Sequence, residues 1–333
     1  MGKTDAYQFD YLDDNERFAD QVNGALFEGR QIVKAEELEP ADAQAVYLGK
    51  EAGARKAVKT VVDKVRMWRG RLLHILAVEN QTYVDYHMVL RNMLSESLSY
   101  QKQWRQKKRA HEKERDLRAG TDAFLSGMVE DEKFIPVITL VVYCGTEHSW
   151  NGARCLHDLL EVEEELKAFV SNYKMNLYDC HEHDTFDEYK TGLRRLFEVV
   201  RYSKDKEELG RILEENREVY SRLDNDTREV IEVVAKVRIG KEYETVENGE
   251  RRYDMCKAFM DMKLEGIEQE KISHLVETVC KKLLKNKSAE VIAEELEEEL
   301  AAVENVIRTQ QKVGTYDVKL IYEAMQAEKQ ADR

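Results

Sequence analysis

The chain has 333 residues, 42% hydrophobic and 35% charged, with a net charge of −14. That composition excludes a disordered chain and supplies enough apolar residues for a sizeable core, while the acidic balance opposes indiscriminate nucleic-acid binding, which draws on Lys and Arg. No apolar run of about 18 residues exists to span a membrane, the polar start MGKTDAYQFDYLDDNERF lacks the apolar core of a secretory signal, and five cysteines without a CxxC pair fit a reducing cytoplasm.

In chain order, the first expected element is a helix from Asp14 to Phe27, with Phe18, Val22, Ala25 and Leu26 on one stripe and Gly29 as its stop. Asp20 and Asn23 share its polar face. Gln31-Ile32-Val33 suggests a short strand, and the polar stretch to about residue 60, broken by Pro40 and Gly49, reads as a loop. Strands at about 60–68 and 72–81 then flank Arg69-Gly70-Arg71, a tight turn.

This hairpin carries the chemistry. Folding the chain back about position 71 sets Asp63 opposite Glu79, and strand alternation puts Gln81 on the face of Glu79. Two carboxylates and an amide oxygen suit a hard divalent cation. A long helix is expected from Tyr86 to Arg118, and its second half changes character. From Lys102 to Arg118 there are eight Lys or Arg against three acids, so Arg105, Lys107, Lys108 and Arg109 are candidates to track a DNA backbone in an otherwise acidic protein.

FIPVITLVVY at 134–143 reads as a strand buried on both faces. The loop GTEHSWNGAR then leads to a helix from Leu156. A strand at 173–178 and a helix at 186–202 complete an α/β arrangement. Beyond Ser203 helical stripes dominate, interrupted by a polar break at 240–253. The acidic segment 288–307 opens on a Ser288 N-cap, and its charge argues for packing or self-association rather than DNA reading. Cys180-His181-Glu182-His183 lacks the partner pair of a zinc site, as do Cys144, His148, Cys155 and His157, and no phosphate-cradling glycine loop is present.

The hairpin with Asp63 and Glu79-Asn80-Gln81, the block VITLVVYCGTEHSWNGARCLHDLL at 138–160 and MCKAFMDM at 255–262 together resemble the Rpn or YhgA-like group, whose members belong to the PD-(D/E)XK nuclease superfamily. The resemblance implies a restriction-endonuclease-like mixed sheet flanked by helices over 1–203, followed by a helical connector at 204–254 and an acidic, all-helical C-terminal extension at 255–333. It implies a metal-dependent DNA endonuclease associated with recombination or mobile elements, cytoplasmic, with DNA as partner and no membrane. A homodimer would suit duplex cleavage. Carried onto this chain, Asp63 and Glu79 hold Mg²⁺, or Mn²⁺ in its place, and Asp20 stands where some relatives place a further acid. Gln81 replaces the usual lysine, leaving the site short of a positive charge. Lys64 follows Asp63 and faces away, so Lys102 is the first candidate to supply it. The alternative reading is a catalytically inactive nuclease fold acting as an interaction or assembly module.

Overall fold

The computed structural model describes residues 10–41, 64–78 and 84–331. The chain is mixed α/β, mostly helical, and divides into two compact units, one ending at Cys256 and the other starting at Lys257. The first unit takes in the segment 204–254.

Helix α1 (Asn15–Phe27) starts where the Asp14 carboxylate accepts from the N–H groups of Glu16 and Arg17, and stops at Glu28 in the left-handed region. Phe18, Ala19 and Val22 are buried along it. The strand expected at Gln31–Val33 does not form. The Asn23 side chain captures that backbone instead, accepting from Ile32 N and Val33 N and donating to Val33 O. The strand lies further on, at β1 (Leu38–Pro40), an edge position where the proline's missing N–H costs nothing.

Strands β2 (Lys64–Trp68) and β3 (Arg71–Val78) form the expected hairpin. Arg69 (φ 45°) and Gly70 (φ 70°) make a two-residue turn of the kind that matches strand twist. Lys64 lies opposite Ile75, so the hairpin folds about the 69–70 pair rather than about position 71. Arg66 ties β2 to the start of α1, donating to Asn15 Oδ1, Asp13 O and Asp13 Oδ1.

Helix α2 (Met88–Glu114) crosses from β3 to the parallel strand β4 (Val137–Tyr143), and β5 (Asn176–Asp179) joins parallel to β4. The sheet order is β1-β2-β3-β4-β5, with antiparallel pairs first and parallel pairs after. β4 is covered on both sides, as its apolar run requires. Val137, Val141 and Tyr143 pack with Met88, Val89, Trp150 and Met175. On the other face Val142 and Cys144 join Tyr11, Leu12, Leu193, Leu196 and Phe197 around a small apolar space. The helix expected from Leu156 is only a 3-10 turn (Leu156–Leu159). Between α2 and β4 lies the short helix α3 (Asp122–Ser126), and between the 3-10 turn and β5 another, α4 (Glu164–Lys167).

Helices α5 (Leu193–Tyr202), α6 (Lys206–Glu215), α7 (Arg217–Tyr220) and α8 (Asn225–Val234) follow. The polar break then proves to be a hairpin, β6 (Glu244–Glu247) and β7 (Glu250–Tyr253), turned by Asn248 and Gly249, both at positive φ. The second unit contains most of α9 (Met255–Leu283) with α10 (Ala289–Leu296), α11 (Leu300–Val313) and α12 (Val318–Ala331), around a core that includes Val276, Val279, Ile292, Val303, Val306 and Ile321. Among the described residues, no helix is long and apolar enough to cross a membrane.

Candidate functional site

One row crosses three parallel strands, with Val78 opposite Tyr143 and Tyr143 opposite Asp179. The C-terminal edge of a parallel sheet is where ligands commonly bind in α/β proteins. From Val78 the sequence runs into Glu79-Asn80-Gln81 and re-enters the described structure at Val84, which is buried. Val84 lies against the loop from Cys144 to Gly152, and Tyr143, opposite Val78, leads into that loop. Tyr143 packs edge-on to Trp150 with ring centroids 5.4 Å apart. A Cβ on Gly152 would come within 2.9 Å of Val84 Cγ1, so glycine is what lets the two segments close on each other.

The loop is held by β5. Asp179, only 1% exposed, accepts from Ser149 Oγ (2.6 Å) and Trp150 N (2.6 Å) with Oδ2, and from His181 N (2.9 Å) with Oδ1. The His181 ring donates from Nε2 to the Gly145 carbonyl. Asp179, Cys180 and His181 bring their ligand atoms within 4.8 Å of one another, a grouping able to hold a metal. Their chemistry here is that of a clamp, however. The carboxylate already serves three donors, the His181 Nε2 is occupied, and burial pushes the Cys180 thiol well above its usual range. Further along the loop, Lys204 bonds Glu147 at 2.8 Å and holds its carboxyl below the usual range.

Helix α2 runs back along β4. Tyr100 Oη accepts from Val137 N (3.0 Å), while the Gln103 amide accepts from Ile135 N (2.6 Å) and donates to Ile135 O (3.0 Å). Lys102 therefore stands at the entry of β4, and the row at Val78 and Tyr143 marks its exit, seven residues or about 20 Å of strand away. The basic half of α2 is less bare than its sequence suggests, because residues 119–135 return along it. Lys107 pairs with Glu132 (3.0 Å), and Trp104 Nε1 donates to Ser126 O. The stem of Lys108 lies against Gly127 with its ammonium over the Trp104 ring, 5.4 Å from the centroid. Arg109 is exposed and Arg105 half-buried. His111 bridges Asp116 (2.8 Å) and Glu132 (3.2 Å), and these carboxylates, Asp116 foremost, raise its pKa.

Comparison with family models matches residues 64–230, half of the chain, to the family described as "Putative transposase, YhgA-like". The chain belongs to the YhgA-like family. Neither curated proteins nor solved structures yield a match. The family's description associates the chain with mobile elements and so with DNA.

For a YhgA-like chain the first question is the carboxylate hairpin. Asp63, Glu79 and Gln81 lie outside the described residues. The matched region takes in Glu79, Gln81, Lys102, the basic helix and the 144–152 loop, and begins one residue after Asp63. Asp20 has a different occupation from the one expected. At 3% exposure it accepts from Lys190 N, Thr191 N and Thr191 Oγ1, fixing the chain that enters α5. Sequence reasoning did not find the Asp179 clamp, and no local motif could have revealed it: Ser149 and Asp179 are 30 residues apart and meet only because β4 and β5 are neighbours.

Proposed function

We propose that this YhgA-like protein is a Mg²⁺-dependent endonuclease that hydrolyses DNA phosphodiester bonds in a mobile-element or recombination setting. The observation that carries the reading is the hairpin's open end. β2 is described from Lys64, which follows Asp63 in the sequence, and β3 as far as Val78, which precedes Glu79. Because the two strands run antiparallel about the 69–70 turn, Lys64 and Val78 both lie on the side of the hairpin away from that turn, and the sequence attaches one acid to each. The order of a helix, three antiparallel strands, a crossover helix and a parallel strand supports a PD-(D/E)XK-type core.

The donor set fits magnesium, which takes one or two carboxylates together with water and substrate phosphate. Asp63 and Glu79 hold the ion. Bound there, Mg²⁺, or Mn²⁺ in its place, lowers the pKa of a water and offsets phosphate charge. Gln81 orients the attacking water through its amide, which bonds but carries no charge. Arg105, Lys108 and Arg109 carry phosphate contacts away from the scissile bond, while Lys107 is shared with Glu132.

Supercoiled plasmid incubated with Mg²⁺ tests the reading. The parent nicks or linearises it, and Asp63→Ala and Glu79→Ala lose at least about 10²-fold in rate, the scale on which catalytic groups act. Equal cleavage by all three removes the site assignment. No cleavage by the parent points to the interaction module instead.

A further inference from the structure

Residues 119–133 cover the basic half of α2 without an anchor in any core. Gly127 alone is buried across that stretch, and Phe124 is 50% and Leu125 74% exposed. The strap is held by Trp104 Nε1 on Ser126 O, by the Lys108 stem against Gly127 and by the Glu132 carboxylate, beyond which Gln103 fixes Ile135. Segments held by so few buried contacts open at the low end of a protein's stability range. Glu132 is the main tie. Its Oε1 accepts from Lys107 Nζ (3.0 Å), while its Oε2 accepts from Val129 N (3.3 Å) and lies 3.2 Å from His111 Nε2. Asp116 takes the other nitrogen of that ring (2.8 Å), and the two carboxylates, Asp116 foremost, raise the His111 pKa and favour its charged form. Lys107 and His111 stand four residues apart and so share one face of the helix. An ammonium, an imidazolium and a backbone N–H closed around a carboxylate are the donors that also receive a phosphate oxygen.

We propose that Lys107 and His111 form a phosphate-binding site on α2 which Glu132 occupies in the closed chain, and that a DNA backbone displaces the 119–133 strap to reach it. The inference rests on DNA as the partner in the nuclease reading, and not on cleavage. The exchange is close to balanced, because one anion leaves the donors that another enters. It is opposed by loss of the Ser126 and Gly127 contacts and favoured by the counterions that bound phosphates release. A polyanion succeeds where a single small anion does not, since its neighbouring phosphates meet Lys108 and Arg109 in the same event. Opening also frees the Trp104 N–H and the Lys108 ammonium that sits over its ring.

Two measurements on the full-length chain decide it. Fluorescence anisotropy of a labelled short DNA duplex, read without divalent cation so that nothing is cut, gives the affinity. Glu132→Gln binds about 2- to 10-fold more tightly than the parent, the worth of one or two exposed ion pairs, and its salt dependence steepens by about one phosphate contact. On a Lys107→Gln background the same substitution brings no gain. Glu130→Gln, which removes an exposed acid of the same strap, changes affinity by less than about twofold. Parent-like or weaker binding by Glu132→Gln, or a gain that survives in Lys107→Gln, overturns the proposal, while binding by the parent keeps DNA as the partner. No binding by the parent or by Glu132→Gln overturns both. The second measurement is amide exchange in the parent: with the duplex bound, exchange across 119–133 quickens while that of α2 slows. Unchanged or slower exchange across the strap shows that DNA does not displace it and overturns the proposal.

Discussion

Asp20 and Asp179 are nearly inaccessible carboxylates, and in each the packing is tolerated because donors surround the oxygens. Asp20 serves Lys190 and Thr191, and Asp179 serves Ser149, Trp150 and His181. Removing either acceptor strands buried or half-buried N–H groups, and their lost hydrogen bonds outweigh the small gain from having one fewer charge to desolvate. Asp179→Ala should destabilise the first unit by about 2–4 kcal/mol, read as a lower urea midpoint, with faster amide exchange at Trp150 N. A shift within about 0.5 kcal/mol, the range of ordinary surface substitutions, would show that the clamp does not hold the loop. Asp20→Ala should destabilise to a similar degree, and its amide signature should appear at Lys190 and Thr191 instead. The two readouts separate the two carboxylates.

Elements differ in how far the sequence announces them. β4 was legible because ten residues of mostly β-branched character admit one environment, burial on both faces, and α1 and α2 were legible from long stripes without breakers. β1 was not, since Leu38-Glu39-Pro40 has no pattern of its own and becomes a strand only by pairing with Pro40 opposite Arg66 and Leu38 opposite Trp68. The β6–β7 hairpin left a readable trace in Asn248-Gly249. The basic run on α2 was visible, but its partial neutralisation depends on Glu132 returning from 25 residues away. That return has a pH signature. The Asp116 and Glu132 carboxylates raise the His111 pKa, so the clasp's contribution is fully present below the ordinary histidine value of about 6.5 and is lost as pH rises through the folded value. Amide exchange across 119–135 should quicken over that interval in the parent and show no such step in His111→Gln. At the sheet edge the loop packs too closely for a methyl group: Gly152→Ala meets Val84 at 2.9 Å and the Trp150 ring at 3.1 Å, and should cost about 1–3 kcal/mol by overpacking, measured by urea denaturation.

At the scale of the whole molecule the chain carries 66 acidic against 52 basic residues. Two of those carboxylates, Asp63 and Glu79, sharing the proposed site would repel each other, and a divalent ion would relieve that repulsion. A ligand that binds only the folded chain stabilises it by mass action, about 2.7 kcal/mol at a hundred times its dissociation constant. Mg²⁺ should therefore raise the unfolding midpoint of the first unit beyond what NaCl of equal ionic strength achieves, and Asp63→Ala and Glu79→Ala should lose that increment while keeping the response to NaCl. This separates a site from general screening, because screening by mobile ions acts on all 66 acids alike and is indifferent to which one is removed. An identical Mg²⁺ increment in the parent and both variants would mean that the acids flanking β2 and β3 do not share an ion. The experiment reads binding without turnover, so it decides between an empty nuclease scaffold and a metal-loaded one even where no DNA is cut.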